Sequence, residues 1–348
     1  MKQLPPAPSK RKIPMLMRYL INTVLIVLFL VLISHLISAG TITRYYEKII
    51  MIIGINIILA VSLNVATGYL GQLPLGHAGF MAVGAYASSI FTLHFKDGPL
   101  PAEITFALSL ILAGIVASIF GIIIGIPALR LRGDYLAIIT LGFGEIIRVL
   151  LLNIDSVLGF DFTYGASGLK GIPKGTTFLN VFICVVITCA VIHTMMKSRH
   201  GRAILSIREN EIAAESCGIK TTYYKTMAFA MSAFFAGVAG GLYAGNLGIL
   251  NPSTFGFMKS IEILVMVVLG GMGSMLGSVL SATVLTALPE FLRTFSDYRM
   301  VVYSLILVIV MIFKPSGLMG TYDFSLSRIL EKLLNYLPRK KGGESVDR

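Results

Sequence analysis

Charged side chains inside the long apolar stretches of this sequence are few, and they offer little chemistry. Glu145 and Arg148 lie three residues apart within one such stretch, a spacing that brings both side chains to one helical face. Ionised residues within a membrane mark function or form structural pairs, and we favour a structural ion pair here. Glu262 lies near the start of a later, shorter stretch, where a transport pathway and an interfacial position fit equally well.

The sequence also lacks the short motifs of common catalytic sites. No Walker A pattern G-x-x-x-x-G-K-[ST], no HExxH and no GxSxG occurs. The five histidines are too scattered to suggest a metal site, and the three cysteines show no CxxC spacing. We therefore expect no catalytic residue, no metal site and no cofactor in this chain, and we expect it not to be an enzyme.

The composition is that of a helical membrane protein. Hydrophobic residues make up 55% of the 348 residues and charged residues only 13%, with a mean hydropathy of +0.83, whereas soluble domains are about a quarter charged. Apolar runs such as 20–33 are continuous rather than alternating, which predicts helices and excludes a membrane β-barrel. The net charge of +12 lies mostly in loops and tails, so we expect membrane lipid and no nucleic acid as a partner.

The apolar runs predict an all-α polytopic bundle of about ten transmembrane helices. We place them near 19–39, 47–67, 77–94, 102–126, 134–153, 177–197, 224–246, 258–270, 276–292 and 299–314. The run that begins at 19 exceeds the apolar core of a usual signal peptide, so we interpret it as an uncleaved span. The eighth segment is short and ends in a glycine-rich stretch, which suggests a tilted or broken helix.

The basic residues predict the orientation. With the N-terminus inside, the inner segments hold 20 of the 29 Lys and Arg residues and the outer segments hold eight. We therefore predict a cytoplasmic tail at 1–18, a transmembrane domain at 19–314 with an inner loop at 198–223, and a cytoplasmic tail at 315–348.

Two glycine-rich breaks interrupt the apolar runs, at 68–77 and at 270–277. Irregular backbone is tolerated within a membrane only inside protein or beside a water-filled cavity, and matching broken segments in two halves are typical of transporters. The candidate residues for a pathway are Asn64, Gly71, Gln72, Gly76, His77, Gly270, Gly271 and Gly273. Alternatively, these glycines simply let the helices pack closely, and the sequence leaves both interpretations open.

The inner loop carries an amphipathic pattern. Ile204, Ile207, Ile212 and Ala213, set against the charged residues between them, suggest amphipathic helical stretches, and Gly218 can end such a helix. Such a mixed-charge segment could dock a cytoplasmic partner, or it could be a solvated loop that only sets topology. The residues alone do not separate the two hypotheses.

Six segments in order carry a resemblance to a known family. They are 68–86, 127–135, 163–169, 201–220 with 232–242, 268–274 and 314–320. Over about 47–320 the chain resembles the permease subunits of branched-chain amino acid ABC importers, LivM type. The resemblance implies a type II ABC importer fold in the inner membrane of a prokaryote. It also implies three kinds of partner: a second, LivH-like permease, two ATPase subunits that bind ATP and Mg, and an extracytoplasmic substrate-binding protein.

In that family the inner loop resembles the EAA-type coupling helix, which fits a cleft on the ATPase. Carried over to this sequence, the resemblance implies a docking surface formed by Arg208, Glu209, Glu211, Ala213, Ala214, Glu215 and Gly218. The sequence departs from a strict EAA box after Glu215, where Ser216 and Cys217 follow.

The sequence leaves alternatives open for both the substrate and the mode of transport. Leucine, isoleucine and valine are the expected substrates, but related permeases for urea or short amides share the same motifs. A different class of protein, a channel or secondary carrier that acts without ATPases, is the alternative mode of transport. A membrane enzyme is a further alternative, although the sequence lacks catalytic groups.

Overall fold

The computed structural model describes residues 28, 30–37, 39–40, 43–96, 98, 101–131, 133–158, 163–293, 298–314 and 317–320. The chain divides into two compact units, one of Met1–Thr41 with Asp323–Arg348 and one of Ile42–Tyr322. In the first unit residues 30–37 are helical. Most of the predicted first span, the N-terminal tail and most of the C-terminal tail lie outside the described residues, so these predictions stay predictions.

The second unit is built of helices, which confirms the all-α fold class. They are α1 (Arg44–Asn64, continued by a π turn at Val65–Tyr69), α2 (His77–His94), α3 (Ala102–Ala128), α4 (Asp134–Leu158), α5 (Phe178–Lys197), α6 (Arg199–Glu209), α7 (Glu211–Ser216), α8 (Thr221–Leu247), α9 (Phe257–Gly270), α10 (Met275–Phe291) and α11 (Arg299–Phe313). Five of the described helices are long and apolar enough to cross a membrane: α1 with its π turn, α3, α4, α5 and α8. The total of about ten spans stays a prediction.

Two helices form the centre of the second unit. The most apolar stretch of α1 with its π turn is 72% buried and that of α8 is 78% buried, against 22% for α4 and for α5. The outer helices expose large apolar side chains such as Ile138, Ile146 and Ile187, as expected of surfaces that face lipid. The central helices therefore position the glycine-rich breaks, and the outer helices enclose them.

Small residues let the central helices approach closely. Gly84 of α2 lies against Gly237 of α8, where an added Cβ would be 2.3 Å from the Gly237 Cα atom. One turn along, a Cβ on Gly240 would be 2.0 Å from the backbone oxygen of Met81. Because apolar surface is already solvated by lipid tails, such close backbone packing holds membrane helices together. For these glycines the packing interpretation applies.

This close approach predicts a stability effect. Gly240→Ala forces α2 and α8 apart and should destabilise the protein by about 1–3 kcal/mol, the usual cost of overpacking. We expect a fall in the thermal unfolding midpoint of the detergent-solubilised protein. The matched control is Gly142→Ala on α4, because an added Cβ there meets no atom within 4 Å. Equal midpoints for the two variants would contradict the described packing.

A short antiparallel pairing of Leu169–Lys170 with Ile249–Leu250 ties two loops together. The first of these loops contains Thr163, whose backbone N–H and hydroxyl both bond to the Asp155 carboxylate. The pairing fixes the loop that follows α4 against the C-terminal end of α8, and so positions the chain that leads into α9.

Candidate functional site

The second glycine-rich break ends a short helix. α9 has 14 residues, about 21 Å at 1.5 Å per residue, which is less than the roughly 30 Å of a hydrocarbon core. It stops at Gly271, whose φ is +103°, and Gly273 also has a positive φ of +87°. The last carbonyls of α9 receive bonds from a distant segment, because Leu318 N–H donates to Leu269 O at 2.7 Å and Met319 N–H donates to Gly270 O at 3.4 Å.

The first break follows the π turn and is held by neighbouring helices. Leu75 N–H donates to Thr140 Oγ1 of α4 at 3.0 Å, and Ala78 N–H donates to Ser260 Oγ of α9 at 3.2 Å. Gly76 packs on the Thr140 backbone oxygen, which leaves no room for a Cβ. The second half of the break is therefore buried, at Pro74, Gly76 and His77, whereas Gly71 and Leu73 are exposed.

The two breaks meet at the Asn64 side chain. Its Oδ1 accepts a bond from Gly273 N–H at 2.9 Å, and its Nδ2 donates to Ser274 O at 3.1 Å. Asn64 is only 1% exposed, and a Cβ on Gly68 would lie 2.1 Å from Gly273 N. We call these four residues, Asn64, Gly68, Gly273 and Ser274, the junction. The structure thus brings together predicted pathway candidates that lie about 200 positions apart in the chain.

Two further pathway candidates occupy different surroundings. His77 is 2% exposed, and its Nε2 lies 3.0 Å from Ser62 Oγ of α1. Ser62 is in turn bound through its backbone oxygen by Ser232 Oγ of α8 at 2.7 Å. His77 is therefore a partnered interior residue that joins α1 and α2, whereas Gln72 is half-buried beside the break.

The acidic residue of the Glu145–Arg148 pair has a second partner. Arg148 Nε donates to Glu145 Oε2 at 2.6 Å, and Glu145 Oε1 accepts a bond from Phe257 N–H at 2.9 Å. Phe257 is the first residue of α9, where free N–H groups and the helix dipole favour a carboxylate. The pair therefore also fixes the start of the broken helix.

The inner loop folds as two short helices. Ser198 caps α6 by accepting bonds from His200 N–H and Gly201 N–H, and Asn210 caps α7 by accepting a bond from Ala213 N–H. Gly218, with a φ of +82°, ends the segment. The apolar face packs inward through Ile204 and Ile207, which are 0% and 3% exposed.

The residues of the implied docking surface divide into two groups. Those that are exposed are Arg208, Glu209, Ala213, Glu215 and Gly218. Two others are less exposed, and Arg208 also has a partner within the chain. Ala214 is 4% exposed, Glu211 binds Lys225 Nζ at 2.7 Å, and Arg208 Nη1 donates to Gly68 O at 2.7 Å.

The apolar residues of the loop do not share one face. Ile212 is 68% exposed, and Ala213 is exposed beside it. The reason is local: Asn210 adopts an extended conformation and starts a new helix, so the periodicity of α6 does not continue into α7. Ile212 is a functional candidate that the sequence analysis did not name. Asn210 is a preferred N-cap residue, and its presence in the sequence could have indicated that a new helix starts there.

Comparison with known proteins assigns the chain to a family. Residues 45–313 match the family described as "Branched-chain amino acid transport system / permease component". The chain belongs to this family. It is an integral membrane protein.

The similar proteins include two permeases of one named transport system, LivM and LivH. The "High-affinity branched-chain amino acid transport system permease protein LivM" of Salmonella typhimurium is 39% identical, with 76% of this chain and 68% of that protein covered. The protein of the same name from Escherichia coli is 38% identical with the same coverage. The corresponding LivH of Salmonella typhimurium is 25% identical, with 76% of this chain and 90% of that protein covered.

Lys225 is a buried cation, and the effect of removing its partner on stability can be measured. Lys225 is 3% exposed and bonds to Glu211, whose side chain is 23% exposed. Removing one partner of a buried pair leaves an uncompensated charge, at a cost of about 3–5 kcal/mol. Glu211→Ala should therefore lower the unfolding midpoint in detergent strongly. Lys225→Met should lower it less, because the remaining carboxylate is partly solvated. The opposite order would show that the Glu211 carboxylate, not the Lys225 ammonium, is the group that requires its partner.

Proposed function

We propose that the chain is the permease subunit of an ATP-binding cassette importer for leucine, isoleucine and valine in a prokaryotic inner membrane. The family match over 45–313 is the observation that carries the proposal, and the names of the LivM relatives agree with it. The chain is a transport subunit and not an enzyme. Its energy comes from partner ATPases, which bind ATP and Mg in place of this chain.

The exposed residues from Glu209 to Gly218, at the end of α6 and along α7, form the proposed ATPase docking surface. Glu209 and Glu215 supply negative charge, and Ile212 supplies an apolar anchor between them. Interfaces gain most of their affinity from a few apolar or aromatic anchors within a polar rim, and charges at the rim set orientation. The surface lies on the inner side in the predicted topology, with both termini in the cytoplasm.

The second permease subunit is proposed to be LivH-like. Relatives named LivM and LivH belong to one named transport system in Salmonella typhimurium, and both are similar to this chain. An extracytoplasmic binding protein delivers the amino acid, so the permease itself needs to hold it only weakly. This agrees with the small number of charged groups along the spans.

Reconstitution tests the proposed function. The purified complex of both permeases and the ATPases, in liposomes with the binding protein and ATP, should accumulate radiolabelled leucine. Omitting the ATPases, the ATP or the binding protein should each abolish uptake. Leucine flux through the permeases alone would contradict the proposal in favour of a channel or secondary carrier. A binding protein that retains urea, and no amino acid, would contradict the substrate.

A further inference from the structure

Arg208 belongs to the inner loop, but its side chain contacts the permease itself. It lies in the last turn of α6, and its Nη1 donates to Gly68 O at 2.7 Å. Its aliphatic part lies over Gly71, where an added Cβ would be 3.0 Å from Arg208 Cγ. The side chain therefore runs from the loop to the first glycine-rich break.

The accepting carbonyl lies where a cation is favourable. Gly68 is part of the π turn that continues α1, and the last carbonyls of a helix have no donor from the helix itself. These carbonyls carry the negative end of the helix dipole, and a charged donor makes a stronger bond than a neutral one. Arg208 therefore fixes the end of α6 to the C-terminal end of α1.

The same guanidinium lies beside the second break. A Cβ on Gly273 would be 3.1 Å from Arg208 Nη1, and Gly273 N–H is bound by Asn64. Asn64 also binds Ser274 O, and Ser274 caps α10 through Gly277 N–H. The side chains of Arg208 and Asn64 thus connect α6 with the end of α1 and the start of α10.

We propose that Arg208 is a positioning residue that transmits movement of the α6–α7 loop to the junction, and that it is not an ATPase contact. The inference rests on the proposed function, because an ATPase must move the loop. Coupling between distant sites travels through hydrogen-bond networks and rigid elements of this kind. The docking role stays with the neighbouring exposed residues Glu209, Ile212 and Glu215.

The test compares three variants in the complete reconstituted complex. The Arg208→Ala complex should retain its ATPase subunits and still hydrolyse ATP. The number of leucine molecules imported per ATP hydrolysed should fall about tenfold or more, as expected from losing one charge-assisted bond in a coupling step. Arg208→Lys should recover part of this ratio, because it keeps a cationic donor. The matched control is Arg202→Ala on the exposed side of the same helix, and it should behave as wild type.

Hydrogen exchange of the peptide 65–73 gives a readout that is independent of transport. Exchange should be faster in Arg208→Ala and unchanged in Arg202→Ala. Loss of co-purifying ATPase from Arg208→Ala, or an unchanged import ratio, would overturn the proposal. If the alanine variant does not fold, the lysine variant decides: faster exchange with a wild-type import ratio also overturns the proposal. A wild-type complex without ATP-dependent uptake would instead overturn the proposed function.

Discussion

Replacing both Glu209 and Glu215 by lysine is expected to separate ATP hydrolysis from leucine uptake while the permease still inserts in the membrane. Both carboxylates are exposed on the proposed docking surface. Placing like charges opposite one another at an interface costs several kcal/mol, and each 1.4 kcal/mol lowers association about tenfold. Uptake in proteoliposomes should fall at least tenfold, and less ATPase should co-purify with the permease.

The matched control for the charge reversal is Glu103→Lys, which changes an exposed acidic residue at the start of α3, outside the loop. It should leave uptake unchanged. Replacing the two loop residues by glutamine should give an intermediate loss, because it removes the attraction without adding repulsion. Unchanged assembly and uptake in the double lysine variant would refute the docking role of the loop.

Replacing Asn64 by leucine should destabilise the contact between the two glycine-rich breaks. The leucine is similar in size but takes away the acceptor of Gly273 N–H in the interior, whereas Ser274 O keeps the bond from Ser278 N–H. A buried group left unsatisfied costs about 1–3 kcal/mol, so the variant should lose about that much stability and part of its folded yield. The measurement is the thermal unfolding midpoint and the monodisperse fraction in detergent.

Asn153→Leu provides the comparison for Asn64→Leu. Asn153 is exposed and bonds to Val149 O within its own helix. Its replacement should change the free energy of unfolding by less than about 0.5 kcal/mol, as is usual for surface positions. If the two leucine variants unfold at the same temperature, the bonds of Asn64 do not hold the two breaks together.

The helices of this permease were largely predictable because length and hydrophobicity are local properties. The predicted segment 77–94 coincides with α2, and the predicted segment 224–246 lies within α8. The glycine-rich breaks were also visible, because glycine interrupts an apolar run directly. The structure adds the finding that the breaks face one another.

The contacts that join the breaks to the loop were not predictable in the same way. Arg208 and Gly68 are 140 positions apart, and no periodicity in a single sequence indicates such a pair. The family resemblance gave Arg208 a place in the loop, because a motif describes position along the chain and not every contact of a side chain. The exposure of Ile212 was not predictable from one helical period, because the Asn210 cap starts a new helix.

The segment at 317–319 has a consequence for biosynthesis. The carbonyls that end α9 obtain their donors from residues that the ribosome adds almost 50 positions later. A backbone group without a partner in lipid costs several kcal/mol, and chains grow at about 5–20 residues per second. For several seconds of synthesis, α9 and α10 must therefore either stay associated with the insertion machinery or pair with α1. The second glycine-rich break reaches its final form only after Leu318 and Met319 have been added.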